Sequence, residues 1–235
     1  MNEKSKLDNE FLVADFASGE HDRVPSFFIK ILSKLADITE RLSDVIFVYC
    51  IDIHSLRLDS LLGKLEESNL LNRVRVVKAK LESMDEQACL RPAMTEFLEE
   101  NPDTLIWLDD FLIKENRFPT ECFDIGILNN DIIGYMMEYY TEYSDAVLGF
   151  TKISNLMKRD GLLIVTMPCS LYVVDNVSIL QDMGFEFAEG VDIDLETQEI
   201  RFFEVHQDYH SFSRLNHYTY LIFKKIKNNE CNQLI

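Results

Sequence analysis

FLVADFASGE occupies residues 11–20, and its apolar run stops at Ala17-Ser18-Gly19. An apolar run that ends in small residues is typical of a buried strand entering a tight turn. A second run, VIFVYCID at 45–52, is continuous and ends in an acid. A strand without polar alternation is covered on both faces, which is the habit of parallel sheets. The two runs predict a parallel sheet whose strands end in small and acidic residues.

Strand and helix patterns alternate along the rest of the chain. Apolar spacings of three and four residues predict helices over 25–42, 55–71 and 176–184, one or two helices over 132–158, and a mostly helical stretch over 83–101. Further strands are predicted over 73–80, 104–112, 123–131, 161–168, 185–193 and 217–226. This alternation predicts one α/β domain over residues 1–235 with a frayed tail at 227–235.

Charge and cysteine usage limit the partners and the compartment. The net charge of −18, from 23 Lys and Arg against 41 Asp and Glu, argues against nucleic acid as a partner. The five cysteines form no C-x-x-C pair, which indicates reduced thiols. The first ten residues hold no apolar signal-peptide core, and no apolar run approaches ~20 residues. We therefore expect a cytoplasmic protein without a membrane segment, and a homodimer stays open.

Candidate binding residues are those that follow strands, because open α/β sheets bind ligands beyond the carboxyl ends of their strands. Gly19 can take a positive φ and let a ligand approach the backbone, although an ordinary strand-to-helix turn has the same residues. Asp52 can accept two hydrogen bonds from a ribose diol. It stands 33 residues after Gly19 rather than the usual ~20, and a helix N-cap is the alternative role.

Two later strand ends carry further candidates. Asp110 could accept a hydrogen bond from an exocyclic amine while Phe111 packs on a purine face; the alternative is that the acids here face solvent after a strand. Asn129 and Asn130 could bind an amino-acid moiety or the reacting group, whereas Asp131 is equally explained as a helix N-cap.

Taken together, residues 11–226 resemble the class I S-adenosylmethionine-dependent methyltransferases. VADFASGE at 13–20 is similar to the family's D-x-G-x-G-x-G motif: Asp15 and Gly19 match, while Ala17 and His21 replace glycines. VIFVYCID resembles the second strand with its ribose-binding acid. The segments that resemble the adenine-side acid through the fourth strand, the fifth strand, the sixth strand and the antiparallel seventh are 104–131, 157–168, 183–193 and 217–226.

The resemblance implies a Rossmann-like, doubly wound, mainly parallel sheet in three α/β/α layers, with an antiparallel last strand. It implies S-adenosylmethionine as the cofactor and methyl transfer, by alignment of the reactants, to a small molecule or a protein side chain. No residue stands out as a catalytic base. The implied cofactor contacts are Asp15, Ala17, Gly19, Asp52, Asp110, Phe111, Asn129 and Asn130.

The third strand of the family pattern has two candidates in this chain. Both 73–80 and 104–112 resemble it, and we prefer 104–112 because its spacing to the strand at 123 is the usual short one. That preference makes residues 73–103 an insertion.

Three alternatives concern function. The replaced glycines also fit a methyltransferase-like binding or scaffold subunit without activity. A nicotinamide-dependent oxidoreductase is disfavoured by the missing G-x-G-x-x-G and by the antiparallel last strand. His206 and His210 have helical metal-ligand spacing but no completing Cys or acidic set, so we expect no metal there. The segment 195–216 is either a wall of the acceptor pocket or simple loop packing.

Overall fold

The computed structural model describes residues 10–39, 46–139, 143–168, 173–203 and 216–226. The strands in this part of the chain are β1 Phe11–Phe16, β2 Ile46–Asp52, β3 Val74–Ala79, β4 Ala88–Leu90, β5 Phe123–Leu128, β6 Met157–Met167, β7 Phe185–Asp194, β8 Ile200–Phe203 and β9 His217–Lys225. The α-helices are α1 Arg23–Thr39, α2 Ser55–Glu67, α3 Pro92–Glu100, α4 Trp107–Glu115, α5 Ile132–Tyr139, α6 Tyr143–Leu156 and α7 Val173–Asp182.

All described strands belong to one mixed sheet with the order β4-β3-β2-β1-β5-β6-β9-β7-β8. The five strands from β3 to β6 in this order are parallel to one another. The last strand, β9, runs antiparallel between β6 and β7. The predicted Rossmann-like sheet, mainly parallel with an antiparallel last strand, is therefore confirmed.

The direction of the crossovers makes the sheet doubly wound. From β1, α1 and α2 lead outward to β2 and β3, whereas α5 and α6 lead from β5 in the opposite direction to β6. Right-handed crossovers in opposite directions put their helices on opposite faces of a sheet. The strand order switches between β1 and β5, so a crevice for a ligand is expected at the carboxyl ends of these strands.

The central strands form the core because their sequences carry almost no exposed polar side chain. Every residue of β2 is buried, as is every residue of β1 after Phe11. Next to them, the rings of Phe16, Tyr49, Phe118 and Phe123 pack edge to face with centroids 5.4–6.2 Å apart. Such aromatic contacts stabilise a core beyond the area they bury.

The strand prediction for 104–112 is wrong, because residues 107–115 form the helix α4. The Asp109 carboxylate accepts a hydrogen bond from the Ile106 amide (3.1 Å), which caps the helix N-terminus, and Asn116 ends the helix at φ 51°. The strand beside β2 is β3 instead, parallel to it over Val48–Asp52. The predicted insertion at 73–103 depended on the wrong strand and loses that basis, since residues 74–79 belong to the sheet.

Two short antiparallel strands were not predicted. β4 pairs with β3 inside the stretch expected to be mostly helical, and β8 pairs with β7 within the segment 195–216. The predictions for His206, His210 and the tail 227–235 lie outside the described residues. No helix in the described ranges is long and apolar enough to cross a membrane.

Candidate functional site

The turn after β1 is held in a left-handed conformation at two residues. Ala17 has φ 58° and Gly19 has φ 68°. Between them the Ser18 amide donates to the carbonyl of Ile51 (3.0 Å), which ties the turn to the end of β2. A Cβ atom added to Gly19 would meet no atom within 4 Å. The backbone of this turn therefore borders open space that a ligand can enter.

Asp52 joins the ends of β1 and β2. One carboxylate oxygen accepts a hydrogen bond from the Gly19 amide (2.9 Å) and the other accepts one from the His54 amide (2.7 Å). The side chain is 5% exposed. Each oxygen keeps a second lone pair, so Asp52 can hold the turn and still accept hydrogen bonds from a ligand. The sequence pattern predicts both Gly19 and Asp52 as binding residues, and the structure brings them into contact.

Asp15 lies on β1 and is 1% exposed. Neither of its carboxyl oxygens has a hydrogen-bond partner among the described residues, and the same is true of the Ser18 hydroxyl. Burial, and secondarily the charge of Asp52, raises the pKa of Asp15 to about 8. Buried polar groups are nearly always partnered in native proteins. An orphaned carboxyl beside a ligand-accessible turn marks the position as a candidate for binding a polar or cationic group.

A cavity of about 390 Å³ opens at this edge of the sheet. Its size falls in the range of small-molecule sites, roughly 300–1,000 Å³. The residues that line it are Ala17 after β1, Asp52, Ile53 and His54 after β2, Arg57 on α2, residues 79–82 at the end of β3, and Ile132, Tyr135 and Met136 on α5. The cavity therefore spans the ends of three parallel strands at the predicted crevice.

Several of these residues were missed by sequence analysis. His54, Arg57 and Lys80 bring positive or titratable groups to the β2–β3 side of the cavity in a chain of net charge −18. Leu81 and Glu82 were missed because 104–112 was preferred as the third strand. The signal that could have found them was the alternating run at 73–80, whose end leads directly into the cavity.

Asp110 and Phe111 lie away from the residues that line the cavity. Both are on α4, where Asp110 pairs with Lys114 (2.6 Å) and the Arg117 guanidinium stands 5.3 Å from the centre of the Phe111 ring. The neighbouring acid, Asp109, faces the core and contacts Tyr49 and Arg75. The structure does not bring Asp110 and Phe111 together with Asp52.

Asn129 and Asn130 follow β5 and lie on the β6 side of the sheet edge. The Thr166 hydroxyl donates to the Asn129 carbonyl oxygen (2.6 Å), and the Tyr218 hydroxyl donates to the Asn130 carbonyl oxygen (2.8 Å). Neither asparagine lines the cavity, although α5, which does, begins two residues after Asn130. Among the described residues, no three His, Cys, Asp or Glu side chains are grouped as a metal site would require.

Comparison with known proteins gives similarity in structure only. No protein-family model and no curated protein matches the sequence. A methyltransferase from Aquifex aeolicus, described as SAM-dependent, is 12% identical at a TM-score of 0.51, covering 95% of this chain and 87% of its own. The Burkholderia thailandensis 1,6-didemethyltoxoflavin-N1-methyltransferase, solved with S-adenosylhomocysteine, is 11% identical at 0.52, covering 95% and 74%.

A third similar structure is the [4+2]-cyclase SpnF, which is 14% identical at a TM-score of 0.52 and covers 93% of this chain and 76% of its own. Identities this low show a shared fold and nothing further. The chain has the class I methyltransferase fold.

Proposed function

We propose that the cavity binds S-adenosylmethionine and that the protein transfers its methyl group to an acceptor. The observation that carries the proposal is the meeting of Ala17 and Asp52 in one cavity, at the edge where the strand order switches. Open α/β sheets bind their ligands at this position. The proposed donor contacts are Asp15, Ala17, Gly19 and Asp52; Asn129 and Asn130 lie outside the cavity lining and are proposed to face the reacting group from the β6 side.

The polar groups at the cavity suit a cationic nucleoside. Asp52 has lone pairs left for two ribose hydroxyls, and the open space in front of Gly19 admits the rest of the donor. The donor carries an ammonium and a sulfonium. The charge of Asp52 at the cavity attracts these two cations, and so does the unpartnered carboxyl of Asp15 on β1, outside the cavity lining, once it ionises.

The adenine is proposed to lie on the β2–β3 side of the cavity. Ile53 and Leu81 provide apolar surface there, and Glu82 provides a hydrogen-bond acceptor after β3. These residues take the place that the sequence assigned to Asp110 and Phe111, which lie outside the cavity.

The chemistry requires little from the protein beyond position. The donor supplies an activated methyl group, and the chain fixes the ribose through Asp52 and the turn through Ser18 and Gly19. Holding two reactants in line lowers the barrier by removing the entropy cost of their encounter. An acceptor that is already nucleophilic needs no general base.

A second candidate is a binding protein without transferase activity. Ala17 occupies a left-handed position where the family motif has glycine, and His21 replaces another glycine. The likeness to a structure described as a [4+2]-cyclase supports a use of this fold other than methyl transfer. This candidate predicts that the protein binds the donor or its product but does not consume the donor with any acceptor.

Calorimetric titration with S-adenosylhomocysteine tests the proposal. Asp52→Ala is expected to weaken binding by ~1–3 kcal/mol, because hydrogen bonds to a charged group are lost. Asp110→Ala, an acid outside the cavity, is the matched control and is expected to bind as the unmodified protein does. Absence of binding at millimolar ligand would remove the proposed function, and equal losses in both variants would remove Asp52 from the site.

A further inference from the structure

Four polar side chains form a network at the carboxyl ends of β5 and β6, which we name the amide cluster: Asn129, Asn130, Thr166 and Tyr218. The backbone amide of Asn130 donates to the Thr166 hydroxyl oxygen (2.9 Å), and that hydroxyl donates to the side-chain carbonyl oxygen of Asn129 (2.6 Å). Tyr218, on β9, donates to the carbonyl oxygen of Asn130 (2.8 Å). The Tyr218 and Thr166 oxygens are 3.1 Å apart.

In this network the carbonyl end of each carboxamide faces the hydroxyl groups, and the NH₂ end faces away from them. Each hydroxyl has one proton, and the network uses the Thr166 proton on Asn129 and the Tyr218 proton on Asn130. Both carbonyl oxygens are thereby occupied. The two NH₂ groups have no hydrogen-bond partner within the described part of the chain, and neither is enclosed without contact to solvent. Four N–H donors are left for a ligand.

The backbone holds this arrangement in an unusual conformation. Asn130 and Asp131 both have left-handed backbones, with φ 61° and φ 57°. The Asp131 amide donates to the Thr166 carbonyl (2.8 Å), so Thr166 fixes the turn through its backbone as well as its side chain. Residues held in sparsely populated conformations concentrate at functional sites, where the surrounding structure maintains them.

The amide cluster lies next to the proposed donor cavity without lining it. Asn130 is followed by α5, whose residues Ile132, Tyr135 and Met136 form one wall of the cavity. The two asparagines follow β5, and β5 pairs with β1, which leads into the Ala17 turn. A second molecule bound at the cluster would therefore approach the donor from the β6 side.

We propose that the amide cluster is the acceptor subsite, that its two NH₂ groups bind a carbonyl or carboxylate oxygen of the methyl acceptor, and that Tyr218 is the positioning residue that orients them. The subsite selects acceptors that bring a hydrogen-bond-accepting oxygen and disfavours acceptors that bring only N–H donors. That the bound molecule is the methyl acceptor rests on the proposed function, whereas the selectivity for oxygen rests on the cluster alone.

Nuclear magnetic resonance with small probes tests the selectivity directly. The side-chain NH₂ signals of Asn129 and Asn130 are followed during titration with acetate, acetamide and guanidinium chloride. Acetate and acetamide are expected to shift both pairs of signals, and their relative affinities distinguish a carboxylate from a neutral carbonyl. A shift with guanidinium alone, or with none of the probes, overturns the proposal.

Matched tyrosine variants test the role of Tyr218. Tyr218→Phe removes the donor to Asn130 and is expected to weaken the acetate response roughly fivefold, the effect of one lost hydrogen bond. Tyr220→Phe is the control, because Tyr220 lies on the same face of β9 with its ring 5.2 Å from Tyr218. Asn130→Asp replaces the outward donors with oxygen and is expected to abolish the response even if Tyr218→Phe fails to fold.

The titration also separates this inference from the proposed function. Tyr218→Phe is expected to leave the affinity for S-adenosylhomocysteine unchanged, because the amide cluster does not line the donor cavity. Binding of S-adenosylhomocysteine without an acetate response overturns the acceptor subsite alone. An acetate response without binding of S-adenosylhomocysteine supports the subsite and removes the proposed donor. A loss of acetate response in Tyr220→Phe equal to that in Tyr218→Phe overturns the positioning role.

Discussion

Two buried aspartates in this protein, Asp109 and Asp15, differ in their hydrogen bonding. Asp109, which is fully buried, accepts from the Tyr49 hydroxyl (2.8 Å), from the Arg75 guanidinium (2.9 Å) and from the Ile106 amide (3.1 Å). Asp15 is almost as deeply buried, and neither of its oxygens has a partner among the described residues. The protein's own groups occupy the carboxylate of Asp109, whereas the carboxyl of Asp15 is left for a ligand to bind.

Their places in the sheet explain the difference. Asp109 reaches Tyr49 in the middle of β2 and Arg75 near the amino end of β3, away from the cavity. Arg75 also donates to the carbonyls of Leu71 and Thr104, so its burial leaves no guanidinium nitrogen without a partner. Asp15 stands near the carboxyl end of β1, where ligands bind. Partners in the interior give stability, and their absence at the edge leaves a group for a ligand to use.

Asp109→Ala tests the first half of this comparison and is expected to have the largest effect. The substitution leaves Arg75 as an uncompensated buried charge, which costs about 3–5 kcal/mol of unfolding free energy. The measurement is urea denaturation. Asp110→Ala on the same helix is the control, because its exposed pair with Lys114 contributes at most about 1 kcal/mol.

The pair can also be removed as a unit. Replacing both partners, Arg75→Met with Asp109→Leu, is expected to recover most of the lost stability, since well-packed apolar side chains can substitute for a buried ion pair. If the double variant is as unstable as Asp109→Ala, the network has a role beyond compensating the Arg75 charge.

The contrast between the two aspartates also marks what the sequence can predict. The strands β1, β2, β5 and β9 follow from apolar patterns, because an uninterrupted run has few alternatives to a buried strand. Residues 104–112 have the same apolar character and form a helix instead. The reason is a tertiary contact. The Asp109 carboxylate accepts a hydrogen bond from the Ile106 amide at the helix N-terminus and pairs with Arg75, which lies 34 residues earlier in the chain. The sequence pattern around residue 109 does not indicate that Arg75 is its partner.

The candidate site was likewise predictable only in part from the sequence. Gly19 and Asp52 were predictable because small and acidic residues at strand ends have a general physical use. Tyr218 was not, because its contact with Asn130 joins residues 88 positions apart. The orphaned state of Asp15 is likewise invisible in sequence, since it consists in the absence of neighbours that only a structure supplies.

Asp15→Asn tests the second half of the comparison through pH. The pKa of Asp15 is raised from 3.8 to about 8. Between about pH 4 and pH 8 the folded protein therefore keeps a proton that the unfolded chain has lost. Stability falls with rising pH wherever the folded state binds more protons, so this group lowers it across that window. Asn removes the effect. By urea denaturation, the variant's advantage over the unmodified protein is expected to grow by roughly 3–4 kcal/mol from pH 5 to pH 8.

The same variant is expected to lose binding while it gains stability. A cationic donor favours the ionised form of Asp15. Binding of the donor is therefore expected to release the proton that Asp15 carries at pH 7. The affinity for S-adenosylmethionine is expected to rise about tenfold from pH 6.5 to pH 8, and Asp15→Asn is expected to flatten this dependence. A variant that is both more stable and an equal binder at every pH would show that Asp15 has no ligand role.

The turn after β1 offers the smallest and most local test. Ala17→Gly relieves a left-handed backbone that costs an alanine about 1 kcal/mol, but glycine also gains freedom in the unfolded chain. The net gain in stability is therefore expected to stay below ~0.5 kcal/mol. Gly19→Ala creates the same strain and, with the same unfolded-chain term offsetting it, is expected to lose less than ~0.5 kcal/mol.

The two variants differ in what they present to the ligand. A Cβ on Gly19 meets no protein atom within 4 Å, so the loss of stability comes from the backbone alone, while the new methyl group occupies the open space proposed for the donor. Weaker binding of S-adenosylhomocysteine is expected for Gly19→Ala and not for Ala17→Gly. If both variants bind alike, the ligand does not approach this turn, and the orphaned Asp15 beside it needs another explanation.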